Sequence, residues 1–320
     1  MHTITALIKT TLLALVALMV GPLPAVENVA LRVVTGNTIV QDMVATIGGD
    51  RVSATCLLKP GVDPHSYQPV PEDVKRLAQA QVVIINGLGF EGWFGGLAKE
   101  SGFAGTLVIA TKGIEPLKME AECEHDAGTE APSADHAHEH EHHQAEVNDP
   151  HAFNSIASAP RYAENIRDAL VVADPAGADG YRARAAAYIT ELRQADAEAK
   201  KAFAALPRSQ RKLVTNHDAL QYFAKEYGFE ILAPNTALED SEPSAKAIAE
   251  LVTFIRHQQV KGVFLEFGKN EKVMRQISAE AQVVIGHELY LDGVGPLGTP
   301  AGTYIGMFQF NVASILAALK

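Results

Sequence analysis

Cysteine is scarce in this chain, which has only two cysteines, Cys56 and Cys123, among 320 residues. This scarcity excludes the disulfide-built scaffolds of small secreted domains, which need many more cysteines. The sequence leaves undecided whether the two cysteines form a single disulfide, because it does not tell whether their Cα atoms approach each other. Cys56 lies in an apolar segment that suits a buried free thiol, whereas Cys123 lies in an acidic segment where it can serve as an extra metal ligand.

Positive charge is also scarce. The chain has 27 lysines and arginines against 38 acidic residues, which gives a net charge of −11. Without a basic patch, nothing favours nucleic acid as a partner. The acidic excess is local, because the segment between Met119 and Pro150 contains ten acidic residues and no lysine or arginine. The rest of the chain is close to neutral, and the negative segment would attract cations.

Long hydrophobic runs are confined to the N-terminus. Lys9 precedes an apolar run at residues 12–20, which is followed by a Gly-Pro-Leu-Pro-Ala sequence that ends at Ala25. The run is too short for a permanent membrane-spanning helix and is typical of an export signal. No cysteine follows it to carry a lipid anchor. We therefore expect residues 1–25 to be a signal peptide and the mature protein to be soluble in the periplasm.

Short apolar segments alternate with helix-length segments over the remaining chain, which is typical of an α/β fold with parallel sheets. The predicted strands fall into two sets of four, at residues 31–35, 52–58, 82–86 and 106–110, and at 212–215, 229–232, 262–267 and 282–285. The two sets indicate two (βα)4-type lobes, each with its own parallel sheet.

A long amphipathic segment at residues 180–206 separates the two sets. Its apolar residues recur every three or four positions from Tyr181 to Phe203, so one face of a helix would pack against protein. At ~1.5 Å per residue this helix approaches ~40 Å, which is long enough to run along both lobes. We expect an N-terminal lobe, one long rigid linker helix and a C-terminal lobe at residues 26–176, 177–207 and 208–320, with a metal site in the cleft between the lobes.

Histidine is concentrated in the acidic segment, at residues 120–147. Imidazoles and carboxylates at this density cannot all be buried and paired, so the segment has no use in a folded core. It does offer many nitrogen and oxygen donors to a borderline metal such as zinc. We expect a disordered loop that collects metal with low affinity through His125, His136, His138, His140, His142 and His143.

Three further histidines lie outside that loop, His65 in GVDPHSYQP, His151 in VNDPHAF and His217 in VTNHDALQYF. His65 and His217 follow predicted strands, and ligands of open parallel sheets bind at the carboxyl ends of strands. His151 and Asp292 lie on loops after the last predicted strand of each lobe. Three imidazoles and one carboxylate would complete a tetrahedral zinc shell.

Each of these residues also has a simpler interpretation. A lone histidine before a helix, such as His217, is often a cap or a surface residue. Asp-Pro-His triplets, and the Asp-Gly pair at Asp292, are common in turns. The coincidence of three such histidines with a histidine-rich segment and an export signal favours a metal site. We expect His257, on an amphipathic helix, at the surface, and His287 is an alternative ligand to Asp292.

Several longer motifs are spread over nearly the whole mature length: VDPHSYQP, NGLGFEGW, NDPHAF, NHDALQYFAKEYG, SEPSAKAIAELVTFIR, VFLE, LYLD and GTYIGM. With these motifs the chain resembles the cluster A-I solute-binding proteins of metal ABC transporters, and among them the ZnuA- and AztC-type zinc receptors. The resemblance implies two lobes joined by a rigid helix, with less closure than in other binding proteins. It also implies that the metal is delivered to a permease in the inner membrane.

The resemblance implies a ligand set as well, because the three metal-binding histidines of the family fall on His65, His151 and His217. The aspartate that many members use as the fourth ligand falls on Asp292. Manganese receptors of the family carry glutamate at the third position, so His217 implies a nitrogen-rich site, which suits zinc. The chain departs from the family pattern near these motifs at Phe153, Leu291, Gly293 and Gly306.

These signals favour a periplasmic high-affinity zinc-binding component of a zinc ABC importer. It would capture Zn²⁺ as its transported ligand in the inter-lobe cleft and deliver it to the membrane permease, assisted by the histidine-rich loop. A periplasmic zinc metallochaperone is a candidate second partner, and we expect a monomer.

Three alternatives stay open. The first is a receptor for manganese or another divalent metal, or an adhesin, of the same family. The second is a metal buffer in which the histidine-rich loop is itself the purpose. The third is a zinc hydrolase, in which an open coordination position activates water. Four protein ligands would close the shell and no general base accompanies the motifs, so we predict that the chain is not an enzyme.

Overall fold

The computed structural model describes residues 30–120, 146–234 and 243–319. The predicted signal peptide, Cys123 and the six histidines of the predicted collecting loop lie outside the described residues. Among the helices of these three ranges, none has both the length and the apolar composition that crossing a membrane requires.

The first sheet contains four parallel strands in the order β2-β1-β3-β4, namely β1 (Leu31–Thr35), β2 (Val52–Cys56), β3 (Val82–Ile85) and β4 (Thr106–Ile109). Alternate residues of β1 and β3 enter two different apolar cores, as Val33 and Val34 illustrate. Both faces are therefore covered, which explains why β3 is apolar throughout. The strand order reverses between β1 and β3, where the edge of such a sheet forms a crevice.

Three helices follow the strands of the first sheet, α1 (Thr38–Gly48), α2 (Pro71–Ala78) and α3 (Phe94–Ser101). Helix α1 begins after Asn37, whose side-chain oxygen accepts a hydrogen bond from the backbone N–H of Val40 at 2.9 Å. The second apolar core is filled from α2 and α3, which contribute Leu77 and Leu97.

Two long helices come next, α4 (Ala159–Ala173) and α5 (Ala178–Ala204). At 27 residues, α5 is ~40 Å long. Its buried residues match the predicted apolar face and are Tyr181, Ala185, Tyr188, Ile189, Leu192, Ala195, Ala199 and Phe203. They belong to one continuous core that also contains Val33 of the first sheet and Leu213 of the second, so both sheets are tied to the same helix.

The second sheet has three parallel strands in the order β8-β7-β9, and these are β7 (Lys212–Val214), β8 (Glu230–Leu232) and β9 (Gly262–Val263). The helices of this half are α6 (Gln221–Tyr227), α7 (Ala245–Gln258), α8 (Lys272–Ala281) and α9 (Tyr304–Leu319). The α/β class with two parallel sheets is thereby confirmed. The order reverses between β7 and β9, which again forms a crevice at the carboxyl ends of the strands.

The fourth strand predicted for the second sheet, at residues 282–285, is wrong. One isolated bridge forms there, between Ile285 and Val263, and a second one pairs Leu289 with Glu266 further along the chain. Gln282 adopts a left-handed conformation that ends α8, and the side chain of Val284 is 83% exposed. The apolar run therefore passes the sheet edge without a continuous ladder, and the second sheet is smaller than a (βα)4 unit.

Strands β5 (Lys118–Glu120) and β6 (Glu146–Asn148) pair in antiparallel fashion. The sequence did not predict this two-stranded hairpin. Residues 120 and 146–147 thus fall in strands rather than in the loop predicted at 120–147. Lys118 pairs with Asn148, and its ammonium donates to the side-chain oxygen of that asparagine at 2.7 Å. The hairpin brings the chain to the start of the NDPHAF segment in a fixed position.

Candidate metal centre

Four side chains from distant parts of the chain meet at one point. His65 lies in the loop after β2, His151 follows β6, His217 follows β7, and Asp292 precedes α9. One nitrogen of each imidazole and one oxygen of the carboxylate all lie within 4.8 Å of one another. His151 and His217 are buried, with 0% and 4% of their surfaces exposed. The four residues that the motifs singled out are thus brought together.

The potential ligand atoms are spaced like the corners of a small tetrahedron. Nε2 of His65 and Nε2 of His151 are 3.1 Å apart. Oδ1 of Asp292 lies 3.8, 3.5 and 3.3 Å from Nε2 of His65, His151 and His217. Ligands at ~2.0–2.1 Å from a zinc ion lie about 3.4 Å apart, because a tetrahedron's edge is about 1.6 times its centre-to-corner distance. These four spacings lie on both sides of this value, and all six are within 4.8 Å, so the four side chains can hold a four-coordinate ion once they move to bonding distance.

The ring of His217 is oriented by Glu266, a buried residue to which the sequence motifs gave no role. Oε2 of Glu266 lies 2.5 Å from Nδ1 of His217, and Oε1 accepts the backbone N–H of the same histidine at 3.0 Å. A carboxylate only accepts hydrogen bonds, so Nδ1 donates, and in the neutral ring Nε2 presents its lone pair to the centre. The sequence contained one signal for this role. Glu266 is a single acidic residue at the end of the apolar VFLE segment, shortly after the carboxyl end of a strand.

His151 is held in the same way by Asp149. Oδ1 of Asp149 accepts both the backbone N–H and the ring Nδ1–H of His151 at 2.9 Å. The backbone of Asp149 is itself fixed, because its N–H donates to the carbonyl of Leu117 beside the hairpin at 2.9 Å and its carbonyl accepts the Tyr222 hydroxyl at 3.1 Å. Asp149 therefore determines where Nε2 of His151 points.

Several buried polar atoms of the centre make no hydrogen bond with the described part of the chain: Nε2 of His217 and both carboxylate oxygens of Asp292. Leaving a buried polar atom unsatisfied costs about 1–3 kcal/mol, so such atoms are rare in proteins. When the two rings are neutral, Nε2 of His151 and Nε2 of His217 present lone pairs to the same point as Oδ1 of Asp292. A cation at that point satisfies the three atoms together.

The pKa values at the centre follow from burial and from the surrounding carboxylates. Burial alone would lower the pKa of His217, but the negative charges of Glu266 and Asp292 outweigh it and hold that pKa well above its usual range. Burial is likewise outweighed at His151, where hydrogen bonding to Asp149 and contact with Asp292 raise the pKa. At His65 burial dominates and lowers the pKa. The centre is thus set up to hold positive charge.

The carboxyl of Asp292 shows the reverse effect. Burial would raise its pKa, but the charge of His217 and the contacts with the other two histidines lower it well below the usual range. Asp292 therefore presents an ionised carboxylate to the three imidazoles, which is the form that binds metal.

Two phenylalanines wall the centre on one side. The rings of His65 and His151 pack edge-on against Phe90, with centroid distances of 5.1 and 5.7 Å. Phe153 lies against the same phenylalanine at 5.1 Å and against His151 at 5.9 Å. Both phenylalanines are fully buried, so they exclude water and strengthen the electrostatic interactions of the ligands.

Other residues that the sequence singled out lie elsewhere. His257 is exposed on α7, as expected. His287 is exposed beside Lys261 at a surface cavity, so it is not brought to the centre as an alternative to Asp292. Cys56 is half-buried in β2, and burial raises the pKa of its thiol to about 12. Cys123, the other cysteine of the chain, lies outside the described residues.

The fold and the centre together define a metal-binding solute-binding protein with two parallel sheets. The model of the ZnuA family, described as "Zinc-uptake complex component A periplasmic", matches residues 33–318. The chain therefore belongs to the ZnuA family, the cluster A-I metal-binding solute-binding proteins of ABC transporters. This is a family of transport proteins and not a known family of enzymes.

Individual relatives carry the names of different metals. The manganese ABC transporter substrate-binding lipoprotein PsaA of Streptococcus pneumoniae is 29% identical over 326 residues, which cover 99% of this chain and 98% of that protein. The manganese-binding lipoprotein MntA of Bacillus subtilis is 32% identical over 295 residues, covering 91% and 90%. The solved structure of the periplasmic zinc binding protein TroA from Treponema pallidum matches with a TM-score of 0.78 and 28% identity, covering 91% of this chain and 99% of that one.

Proposed function

We propose that the chain is the periplasmic high-affinity zinc-binding component of a zinc ABC importer. It captures Zn²⁺ with His65, His151, His217 and Asp292 and delivers the ion to a permease in the inner membrane. One observation carries the proposal: three imidazole nitrogens and one carboxylate oxygen converge within 4.8 Å of one another, and four of their six spacings lie between 3.1 and 3.8 Å.

The chemistry of the donors supports zinc as the cargo. Imidazole nitrogen suits zinc, whereas carboxylate, carbonyl and water oxygens suit manganese. The carboxylates of Asp149 and Glu266 bind the outer nitrogens of two histidines, which makes the inner nitrogens more basic and fixes their direction. Four protein ligands also close a tetrahedral shell and leave no position for a catalytic water, so a hydrolase is disfavoured.

A manganese receptor is the second candidate, because PsaA and MntA are named for manganese. Affinity alone does not separate the two functions, since almost any site of nitrogen and oxygen ligands binds zinc more tightly than manganese. The transported metal has to be identified by uptake.

The deciding experiment measures uptake of radioactive zinc and manganese, each at trace concentration, in cells that lack the chain. We expect zinc uptake to be lost and manganese uptake to be unchanged. The wild-type chain and His257→Ala restore zinc uptake, whereas His217→Ala does not. Loss of manganese uptake with zinc uptake intact would establish the manganese receptor instead.

The remaining parts of the proposal concern organisation and partners. The signal peptide at residues 1–25 directs the chain to the periplasm, where it acts as a monomer. The lobes at 26–176 and 208–320 form the two sides of the cleft. The helix at 177–207 holds them at a nearly fixed separation. The histidine-rich loop raises the local concentration of zinc or receives it from a periplasmic metallochaperone before transfer to the centre.

A further inference from the structure

Lys269 lies beside the metal centre without belonging to the proposed ligand set. Its Nζ is 2.5 Å from Oδ2 of Asp63 and 3.4 Å from Oδ2 of Asp292. The other oxygen of Asp292, Oδ1, is the one that faces the three histidines, at 3.3–3.8 Å from their Nε2 atoms. Oδ2 of Asp292 thus makes an ion pair with the ammonium, without a hydrogen bond, while Oδ1 faces the histidines.

The position of Lys269 is set by the turn that follows Glu266. The N–H of Lys269 donates to the carbonyl of Glu266 at 3.1 Å. Within the turn, Gly268 has a φ of +86°, and a Cβ there would lie 2.5 Å from the carbonyl oxygen of Gly61. Glycine is required for this approach of two backbones. The turn that supplies Glu266 to His217 therefore also delivers Lys269 to Asp292.

Asp63 holds the ammonium from the opposite side. Its Oδ1 accepts the backbone N–H of His65 at 2.8 Å, while its Oδ2 contacts Lys269. The side chains of Asp63, Lys269 and Asp292 are only 11–13% exposed, so water screens the interaction of their charges only in part. Burial would lower the pKa of Lys269, but the two aspartates outweigh it and raise that pKa above its usual range. Lys269 stays a cation with a fixed direction.

We infer that Lys269 is a positioning residue, which keeps Asp292 bound to the metal through one oxygen and thereby favours four-coordinate zinc over ions that take more oxygen ligands. A carboxylate can bind a metal with one oxygen or with both. Ions such as Mn²⁺ prefer more oxygen ligands and would gain from the second one, but they must first displace the ammonium from it. Zinc completes its shell without it. The inference rests on the proposed function of the centre as a metal receptor.

The test replaces the charge and keeps most of the side-chain volume, in Lys269→Met. The matched control is Lys272→Met, an exposed lysine three residues further along. Dissociation constants for Zn²⁺ and Mn²⁺ are measured by competition with chelators, and the ratio of the manganese to the zinc constant is compared. We expect this ratio to fall about tenfold or more in Lys269→Met, on the scale known for groups that orient metal ligands. It stays at the wild-type value in Lys272→Met and in Lys269→Arg, which restores the cation.

X-ray absorption at the manganese edge gives a second readout, which a purely structural role of Lys269 would not change. We expect manganese to have one more oxygen ligand in Lys269→Met than in the wild type, from the second oxygen of Asp292, whereas zinc keeps four ligands in both. An unchanged metal ratio in Lys269→Met overturns the inference, and so does an unchanged number of manganese ligands in that variant. Both readouts compare the variant with the wild type, whereas the proposed function is tested by zinc uptake with the wild-type chain. Either the inference or the proposed function can therefore fail while the other holds.

Discussion

Glu266 holds His217 at two points with one carboxylate. Oε2 lies 2.5 Å from the ring nitrogen Nδ1, and Oε1 lies 3.0 Å from the backbone nitrogen. The two residues follow β9 and β7, the neighbouring strands between which the order of the second sheet reverses. Glu266 therefore fixes both the backbone and the ring of a ligand at the point where such sheets bind their ligands.

The first prediction follows from this contact. In Glu266→Gln the side chain keeps one acceptor oxygen, so it can serve the ring or the backbone of His217 but not both. We expect zinc affinity to fall about 10–100-fold, measured by competition with a chelator at neutral pH. Glu250→Gln, an exposed carboxylate on α7, is the control and keeps wild-type affinity. Wild-type affinity in a folded Glu266→Gln protein would show that this contact does not orient the ligand.

The second prediction concerns the ligands themselves. Alanine at His65, His151 or His217 removes a direct bond to the ion. Each of these substitutions should therefore lower zinc affinity more than Glu266→Gln does, by at least about 100-fold. Isothermal titration of each variant measures the loss. His257→Ala is the control, because His257 is exposed away from the centre. Equal losses in His257→Ala and in the three other variants would mean that the assignment of ligands is wrong.

The third prediction separates the centre from the histidine-rich loop. Residues 120 and 146 are paired across the hairpin, so a two-residue Asn-Gly turn can replace residues 121–145 and close the hairpin. We expect the shortened chain to keep one tight zinc site and to lose only weaker binding capacity, as measured by equilibrium dialysis. A full-length chain with serine in place of the six loop histidines should behave alike. If the tight site disappears from both proteins while they remain folded, the loop is the primary site.

The fourth prediction is a fall in zinc affinity with falling pH. Metal binding requires neutral imidazoles, so protons compete with the ion. The pKa values of His217 and His151 are raised, so these rings take up protons at a higher pH than an ordinary histidine does near about 6.5. The loss of affinity should therefore begin above that value and deepen as more rings are protonated. Titrations between about pH 8 and about pH 6 measure it, and a constant affinity over that range would contradict ligation by three histidines.

Much of the fold was predictable because strand and helix periods are local properties of the sequence. The strand at Leu31–Thr35 has the predicted bounds, and the apolar face of α5 was visible from its spacing. The convergence of the histidines was predictable for a related reason. Ligands of open parallel sheets bind beyond the carboxyl ends of the strands, and the sequence placed His65 after a strand of the first sheet and His217 after a strand of the second.

Other features depend on contacts between residues far apart in sequence. The β5–β6 hairpin has three residues per strand, too few for a recognisable alternation, and its strands are separated by the acidic segment. Lys269 looked like any polar residue of a turn, since only the folded chain shows the two aspartates that enclose it. The strand predicted at residues 282–285 failed because an apolar run does not reveal whether a partner strand is within reach.

The central claim is that one zinc ion is held jointly by His65, His151, His217 and Asp292. Anomalous diffraction at the zinc edge, from crystals of the chain grown with one equivalent of zinc, tests it most directly. We predict one dominant peak, ~2.0–2.2 Å from Nε2 of each histidine and from Oδ1 of the aspartate. A dominant peak elsewhere, or one within bonding distance of fewer than three of these histidines, would contradict it.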